Sequence, residues 1–242
     1  MMKIEVWSDY VCPFCYIGKR RLEKALEQFP NRDAVHVEFK SFELDPNAET
    51  YSEKSINESL AEKYGMSVEQ AKQNNVQLAM QAAQEGLTFN FDTMKPTNTF
   101  DAHRLAKFAK TKGKDQELTE RLLHAYFTET KNVGDHETLA TLAEEVGIDR
   151  DEALNVLNHQ DDYANEVRQD LALARQYGVT GVPFFVINDK YAISGAQPLE
   201  TFVSALEKVW EEESAKPKFE SLDGADGAVC ADGSCDVPMK DE

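Results

Sequence analysis

Two cysteines near the amino terminus are the residues of this chain best suited to chemistry. Cys12 and Cys15 are separated by two residues, and they lie between a segment typical of a β-strand and one typical of an α-helix. A dithiol with this spacing can close into a disulfide and reopen by exchange with another disulfide. The free N–H groups and the dipole at a helix start stabilise an anion, so we expect the thiolate form of Cys12 to be favoured there.

The two thiols occupy different positions relative to the helix start, which predicts different roles for them. Cys12 lies nearest the helix start, so we expect it to be the more exposed thiol and the nucleophile. Cys15 lies one turn further on and is predicted to attack the mixed disulfide and release the partner. Phe14 is expected at the rim of the site, where it is a candidate for contact with substrate. Cys-x-x-Cys also forms half of many zinc sites, so the spacing alone leaves that alternative open.

The segments around these cysteines predict a β-α-β unit. Residues 3–8 and 35–44 alternate apolar and polar side chains, which is typical of strands. Between them, residues 13–28 carry apolar side chains at helical spacing. Pro13 would occupy the first helical position, where its missing N–H costs little. The dithiol therefore lies at the first turn of this unit.

The middle of the chain predicts helices alone. The residues that follow the second strand contain several amphipathic repeats and no convincing strand pattern. Ser67, Asp135 and Asp149 are predicted to begin helices, because their short polar side chains can cap free N–H groups. Gly178 is predicted to end the last of these helices.

A β-hairpin and a final helix complete the pattern. Residues 184–187 and 191–194 predict the two strands, and residues 199–213 predict the helix. Without the helical middle, the order of elements is that of thioredoxin, so we predict an α/β, thioredoxin-like fold with an inserted all-helical domain. The predicted parts are a discontinuous thioredoxin-like domain of residues 1–50 and 178–213, an inserted helical domain of residues 51–177, and a flexible C-terminal tail of residues 214–242.

Pro183 is the second element of the predicted site. It follows Val182 and precedes an apolar strand, a position in which a strand tolerates proline. Most X–Pro bonds are trans, but in a thioredoxin-like context we expect the Val182–Pro183 bond to be cis. A cis bond would turn the backbone of Val182 towards the dithiol. Its N–H and C=O would then be free to pair with an extended substrate.

Composition narrows the environment and the partners of the protein. The net charge of −18 disfavours nucleic acid and anionic membrane surfaces, because binding to either depends on Lys and Arg. We find no apolar run long enough for a signal peptide or a membrane span, and we therefore expect a cytoplasmic protein. There the four cysteines would be mostly reduced, which favours catalysis, redox sensing or metal binding over structural disulfides.

Three motifs together resemble the DsbA family, and within it the FrnE-type branch. They are residues 9–18 (DYVCPFCYIG), 98–104 (NTFDAHR) and 178–185 (GVTGVPFF), and the resemblance extends over residues 3–212. It implies thiol–disulfide oxidoreductase activity on protein disulfides or dithiols without a bound cofactor or metal. Glutathione or another thiol would serve as redox partner. By position, Cys12 is the attacking cysteine, Cys15 its partner and Pro183 the cis-proline.

The resemblance also marks where this chain departs from its relatives. Phe14 stands where periplasmic DsbA proteins carry a histidine, so their strong oxidising power is not implied here. Related glutathione-linked isomerases and kappa-class transferases use serine where Cys12 stands, so the presence of both cysteines favours the oxidoreductases. His103 belongs to the motif of the inserted domain and is a candidate helper near the dithiol. A histidine at such a helical position is more often a packed or surface residue.

A second pair, Cys230 and Cys235, lies in the predicted tail. The FrnE-type branch carries a Cys-x4-Cys pair near its C-terminus, and this chain matches that pattern. A flexible linker of about 16 residues from Ser214 spans roughly 22 Å, which is comparable with the radius of gyration of roughly 18 Å expected for a chain of this length. The resemblance therefore implies an auxiliary pair that exchanges electrons with Cys12 and Cys15.

Three functions remain open at this level. The first is a cytoplasmic protein dithiol–disulfide oxidoreductase, with disulfide isomerisation as a further activity, acting under oxidative stress. The second is a zinc-binding or redox-sensing module in which both cysteine pairs bind the metal. The third is a glutathione-linked isomerase or transferase of small molecules on the same fold. The oligomeric state is not predicted.

Overall fold

The structure, a computed structural model, describes residues 1–215 together with the backbone of residues 230–231 and 234–235. The strands of the main sheet are β1 (Met2–Ser8), β2 (Val35–Ser41), β3 (Phe184–Ile187) and β4 (Tyr191–Ser194). The helices are α1 (Pro13–Gln28), α2 (Ile56–Tyr64), α3 (Val68–Gln84), α4 (Phe100–Thr111), α5 (Asp115–Phe127), α6 (His136–Glu145), α7 (Arg150–Asn158), α8 (Ala164–Gln176) and α9 (Leu199–Ala215).

The sheet has the strand order β2-β1-β3-β4. Strands β1 and β2 are parallel, whereas β3 is antiparallel to both β1 and β4. Strand β2 ends at Ser41, earlier than the predicted residue 44. The Leu44 N–H donates to the Asp9 carboxylate at 2.8 Å instead of pairing with a neighbouring strand. The chain at Leu44 is therefore bound to the loop that follows β1.

A thioredoxin-like layer of helices covers one face of this sheet. Helix α1 begins with Pro13 at its first turn, as predicted, and packs against α9. The apolar residues shared by the two helices and the sheet form one buried cluster: Met2, Ile4, Val6, Leu22, Ala25, Phe29, Phe185, Ile187, Ile193, Phe202, Leu206 and Val209. The predicted β-α-β unit and the predicted hairpin are both confirmed.

Helices α2 to α8 lie between β2 and β3 in the sequence, and residues 42–183 contain no strand. Helices α6 and α7 begin at their predicted caps, Asp135 and Asp149, whose side chains accept from backbone N–H groups. Ser67 begins α3 as predicted, and its side chain accepts from the Gln70 N–H at 3.1 Å, without the reciprocal side-chain bond that would complete a capping box. A complete capping box lies at Ser55, which begins the short helix α2, and this helix was not predicted.

The helical block meets the thioredoxin-like part directly behind the dithiol. Tyr10, Tyr16 and Ile17, from the loop after β1 and the first turns of α1, are buried in the apolar cluster of the helical block. In addition, the Asp170 carboxylate of α8 accepts from the Ser41 N–H at the end of β2, at 2.7 Å. The first helical turn of α1 is therefore supported from the sheet on one side and from the inserted helices on the other.

No helix within residues 1–215 is both long and apolar enough to traverse a lipid bilayer.

The predicted C-terminal tail differs from expectation at its start, because α9 continues as helix to Ala215. Most of the predicted flexible tail lies outside the described residues. Within it, the backbone of β5 (Cys230–Ala231) pairs in antiparallel fashion with that of β6 (Ser234–Cys235). In this register Cys230 lies opposite Cys235.

Candidate active site

Cys12 is the residue that begins helix α1. Its backbone is extended, and Pro13 follows it in the first turn. The Cys12 N–H donates to the Asp9 carbonyl at 3.1 Å, and the Cys15 N–H donates to the Cys12 carbonyl at 3.0 Å. These bonds hold Cys12 at the end of α1 where the free N–H groups of the helix lie.

Both cysteines are free thiols, and both are buried. Cys12 is 4% exposed and Cys15 is 2% exposed, so the predicted difference in exposure is confirmed in direction but is very small. The Cys12 thiol lies against the loop before β3 and donates to the Val182 carbonyl at 3.4 Å. Phe14 is 44% exposed, which agrees with its predicted place at the rim.

The Cys15 thiol lies deeper, at the back of the site. Burial raises its pKa well above the ordinary value, and the neighbouring Cys12 raises it further. The nearby Ser8 hydroxyl and the Asp9 N–H, which lies 3.5 Å from the sulfur, lower this pKa and so act in the opposite direction. A thiol in this position is protonated at neutral pH and must lose its proton before it can attack.

The Val182–Pro183 bond is cis, as predicted. The expectation that the Val182 C=O would be free for substrate is wrong for this state, because it accepts from the Cys12 thiol. The Pro183 C=O is also engaged, by the Gly195 N–H at 2.8 Å. Pro183 itself is buried against α1, where Gly18 leaves room for its ring.

His103 is buried beside the loop that carries the dithiol rather than against the sulfurs. Its Nε2 lies 3.0 Å from the Phe42 carbonyl and 3.5 Å from the nearer carboxylate oxygen of Asp9. Its ring packs on Tyr10, with 4.7 Å between the ring centres. His103 therefore connects α4 with the loop after β1 and with the chain that leaves β2.

Asp9 and Ser8 were not among the predicted site residues, although the Asp9 N–H contacts the Cys15 sulfur and Ser8 lies near it. Asp9 is fully buried, and one of its carboxylate oxygens accepts from the Leu44 N–H. Ser8 ends β1 and is 6% exposed. Their proximity to Cys-x-x-Cys in sequence is a usable signal, because the loop from a strand into the helix must fold back over the second cysteine.

An apolar rim surrounds the buried sulfurs. Phe14 and Leu44 are exposed, and Val11 and Val182 are half-buried. Such a surface can accept the apolar side chains of an unfolded or extended polypeptide. The described residues contain no group of three or more His, Cys, Asp or Glu side chains arranged to hold a metal ion.

Residues 3–207 match the family described as DSBA-like thioredoxin domain. The chain belongs to this family. A probable DsbA oxidoreductase from Streptomyces coelicolor, known from its crystal structure, is 41% identical, with a TM-score of 0.85 over 99% of this chain and 100% of that chain. The uncharacterized protein YwbO of Bacillus subtilis is 34% identical over 207 residues, which is 84% of this chain and 94% of YwbO.

A more distant structure shares the fold. The cytosolic disulfide reductase DsbM from Pseudomonas aeruginosa, solved with glutathione, is 14% identical, with a TM-score of 0.60 over 86% of this chain and 99% of DsbM. The predicted membership of the DsbA family and the predicted thioredoxin-like fold with added helices are thus confirmed. Members of this family are thiol–disulfide oxidoreductases.

Proposed function

We propose that this protein is a cytoplasmic dithiol–disulfide oxidoreductase that acts on protein substrates, with Cys12 as the attacking thiol and Cys15 as the resolving thiol. The observation that carries the proposal is the environment of the Cys12 sulfur. It lies at the start of α1, under an apolar rim, with a second thiol one helical turn behind it. This arrangement suits attack on a disulfide followed by release.

In the reductive direction, the Cys12 thiolate attacks one sulfur of a substrate disulfide. A bond forms between Cys12 and that sulfur, and the other substrate sulfur leaves as a thiolate that takes up a proton. Cys15 then loses its proton and attacks the Cys12 sulfur, which releases the second substrate thiolate and leaves a Cys12–Cys15 disulfide. Substrate oxidation follows the same steps in reverse.

Disulfide isomerisation is proposed as a further activity of the same site. Burial keeps the Cys15 thiol protonated, which prolongs the mixed disulfide on Cys12. A longer-lived mixed disulfide gives a substrate time to attack it with another of its own cysteines, so that its disulfides rearrange. The apolar rim around Phe14 and Leu44 would bind unfolded substrates during this interval.

Location, redox partner and physiological setting belong to the same proposal. The fold shared with a cytosolic disulfide reductase solved with glutathione supports a cytoplasmic enzyme that uses glutathione or another thiol. The net charge of −18 disfavours nucleic acid and anionic membranes as partners. We propose no bound cofactor or metal, and a role in repairing proteins under oxidative stress.

Cys230 and Cys235 are proposed as an auxiliary exchanging pair. Residues directly opposite in an antiparallel pair have Cα atoms about 4.5–5.5 Å apart, which lies within the range that a disulfide bridges. The backbone register places Cys230 opposite Cys235, which supports reversible closure of this pair. A tail tethered to α9 would meet the Cys12–Cys15 disulfide at high effective concentration.

The proposed roles are tested with single cysteine variants in a Cys230→Ser/Cys235→Ser background. Cys12→Ser should abolish insulin reduction and the repair of scrambled ribonuclease. Cys15→Ser should accumulate mixed disulfides with substrate, detectable by mass spectrometry, because the resolving thiol is missing. Full activity of Cys12→Ser in either assay would contradict the proposal, as would glutathione-dependent turnover of a small aromatic substrate by that variant.

The auxiliary pair is tested by rapid thiol trapping in the otherwise unmodified chain. After the Cys12–Cys15 pair is oxidised, Cys230 and Cys235 should become oxidised at the same rate as that at which the Cys12–Cys15 disulfide is reduced. Cys230→Ser/Cys235→Ser should slow turnover with glutathione as reductant. Unchanged turnover and unchanged preference for reductant would contradict the proposed electron transfer.

A further inference from the structure

Asp9 is a fully buried residue that contacts both cysteines through its backbone. Its N–H lies 3.5 Å from the Cys15 sulfur, and its C=O accepts from the Cys12 N–H at 3.1 Å. Neither contact involves the carboxylate, whose partners lie elsewhere. The alignment of the N–H with the Cys15 sulfur therefore depends on how firmly the rest of Asp9 is held.

The carboxylate of Asp9 has a partner at each oxygen. Oδ2 accepts from the Leu44 N–H at 2.8 Å, in the segment that follows β2. Oδ1 lies 3.5 Å from Nε2 of His103, which belongs to helix α4 of the inserted block. The Phe42 carbonyl lies 3.0 Å from the same Nε2, and because a carbonyl can only accept, this nitrogen carries a proton. The N–H of His103 thus faces the oxygens of both Phe42 and Asp9.

These partners make it costly for Asp9 to move. His103 is 2% exposed, and its ring packs on Tyr10 with 4.7 Å between the ring centres. No described residue forms a well-directed hydrogen bond with Oδ1 of Asp9, so the N–H of His103 is the polar group that compensates this buried oxygen. A buried carboxylate that lost both His103 and Leu44 would remain uncompensated, which is unfavourable. The side chain therefore fixes the backbone of its own residue.

An N–H that faces a sulfur matters most when the sulfur becomes anionic. Hydrogen bonds to an ionised acceptor are stronger than those to a neutral one, so the bond from Asp9 strengthens as Cys15 loses its proton. In agreement, this N–H lowers the pKa of Cys15 against the larger effect of burial. Because that pKa remains well above the ordinary value, additional thiolate accelerates attack more than the accompanying loss of nucleophilicity slows it.

We propose that Asp9 is a positioning residue for the resolving step, because its carboxylate, held by Leu44 and His103, keeps its N–H directed at the Cys15 sulfur. During this step the Cys15 proton leaves to solvent, the Cys15–Cys12 bond forms and the Cys12–substrate bond breaks. The substrate sulfur departs as a thiolate and takes up a proton. Through His103, the inserted helices thus contribute to exchange at the dithiol. This inference rests on the proposed dithiol exchange.

The two steps of exchange can be followed in one stopped-flow measurement. In a Cys230→Ser/Cys235→Ser background, the reduced chain is mixed with the symmetrical disulfide of thionitrobenzoate. Attack by Cys12 releases one thionitrobenzoate at a rate that rises with the reagent concentration. Attack by Cys15 on the resulting mixed disulfide releases the second at a rate that does not depend on this concentration. Absorbance therefore reports the two steps separately in the same sample.

Asp9→Ala and Asp9→Asn separate the position of Asp9 from its charge. Both remove the carboxylate, but the asparagine oxygen can still accept from the Leu44 N–H. Asp9→Ala should slow the second release about 3- to 10-fold relative to Asp9→Asn, because the N–H is no longer held in line with the sulfur. The first release should differ little between the two variants, since the Cys12 sulfur contacts Val182 instead.

The thiolate absorbance of Cys15 gives a readout that is independent of exchange. When Cys12→Ser is added to the same background, Cys15 is the one thiol that remains. Its titration midpoint should lie at higher pH in Asp9→Ala than in Asp9→Asn, although the two chains carry the same charge. The titratable groups around Asp9 are common to both chains: Tyr10, Glu43, His103 and Tyr126.

Variants of His103 test the same anchor from the other side, and they decide the matter if Asp9→Ala does not fold. His103→Gln keeps an N–H near the position of Nε2, whereas His103→Leu removes it. The second release should slow about 2- to 5-fold in His103→Leu and recover in His103→Gln. Asp45→Ala is the matched control, because Asp45 also accepts a backbone N–H, from Asn47 at 3.1 Å, but is exposed. It should leave both releases unchanged.

The outcomes are distinguishable. Equal rates of the second release in Asp9→Ala and Asp9→Asn would overturn the proposal, as would equal slowing of both releases, which indicates a general loss of structure. His103→Leu resolving as fast as His103→Gln would also overturn it, because Asp9 would then need no anchor on α4. If the unmodified chain released one thionitrobenzoate or none, the proposed dithiol exchange itself would be wrong.

Discussion

At the scale of single residues, Gly18 determines how closely the first helix approaches the loop before β3. A Cβ atom at this position would lie 3.0 Å from the Pro183 ring and 3.2 Å from the ring of Phe185. Phe185 is 1% exposed, so it has little freedom to move away. Gly18 therefore allows the close packing that places Val182 against Cys12.

Gly18→Ala should disturb both stability and exchange. Overpacking of a filled core costs about 1–3 kcal/mol, whereas alanine gains up to about 1 kcal/mol in a helix interior, so we expect a net loss near 1 kcal/mol. Insulin reduction should also slow, because the loop before β3 must shift relative to Cys12. Urea denaturation and the insulin assay measure the two effects.

Gly181→Ala is the matched control, because a Cβ there would meet nothing within 4 Å. It should leave the urea midpoint nearly unchanged. A Gly18→Ala protein that is more stable than the unmodified chain would show that the contact with Pro183 is not tight.

At the scale of elements, a buried arginine connects two helices of the inserted block. Arg104 of α4 is fully buried. Its Nε donates to the Asp162 carbonyl at 2.9 Å, and its Nη2 donates to the carbonyls of Val156 and His159 at the end of α7. The last carbonyls of a helix have no N–H partners within the helix, so the guanidinium supplies the hydrogen bonds that are missing at the end of α7.

Arg104→Lys should destabilise the protein even though the charge is kept. An ammonium group cannot reproduce the planar array of donors, and a broken buried network typically costs about 3–5 kcal/mol. Guanidinium denaturation followed by circular dichroism measures the loss. Arg168 on α8 is exposed, and Arg168→Lys should change the free energy of unfolding by less than about 0.5 kcal/mol. Equal stability of both variants would contradict the role given to Arg104.

At the scale of the whole molecule, an ionic network joins the helical block to the sheet. Glu38 of β2 pairs with Lys110 of α4 and with Lys40 of its own strand. Burial opposes ionisation of Glu38, but its hydrogen bonds with Lys110 and Lys40 outweigh it and lower the pKa to about 2. The charged form of Glu38 therefore stabilises the contact between the two parts.

The low pKa of Glu38 predicts a specific sensitivity to acid. A carboxylate with a lowered pKa in the folded state stabilises the fold above its ordinary pKa of 4.5, and this contribution disappears as the pH falls towards about 2. Glu38→Gln should lower the free energy of unfolding by about 1–2 kcal/mol near neutral pH, since partial contact with solvent screens the pairs. The difference from the unmodified chain should shrink across this pH window, as measured by urea denaturation.

Glu62→Gln is the control for this experiment. Glu62 also pairs with a lysine, Lys54, but its side chain is 69% exposed. Its replacement should have little effect at any pH, because exposed ion pairs contribute little. An effect of Glu38→Gln that does not depend on pH would show that the network is not held by the charge of Glu38.

Most elements could be predicted because their signals act over a few neighbouring residues. Asp135 and Asp149 cap helices through N–H groups three residues away, and the two strands of the hairpin lie on either side of a short turn at Asn188 and Asp189. The prediction was wrong where a distant contact decided the outcome. Strand β2 ends early because Asp9 binds the Leu44 N–H, and the short helix α2 lacked a repeat long enough to be recognised.

The sequence by itself determined the dithiol, its place at a helix start and the proline that faces it, because each depends on residue type and on neighbours along the chain. Only the tertiary structure decided how deeply the thiols are buried and what touches them. Cys12 and Val182 are 170 residues apart, and the Asp170 carboxylate of α8 meets the Ser41 N–H at the end of β2. Such contacts form only when the inserted helices pack onto the sheet, so no local pattern carries them.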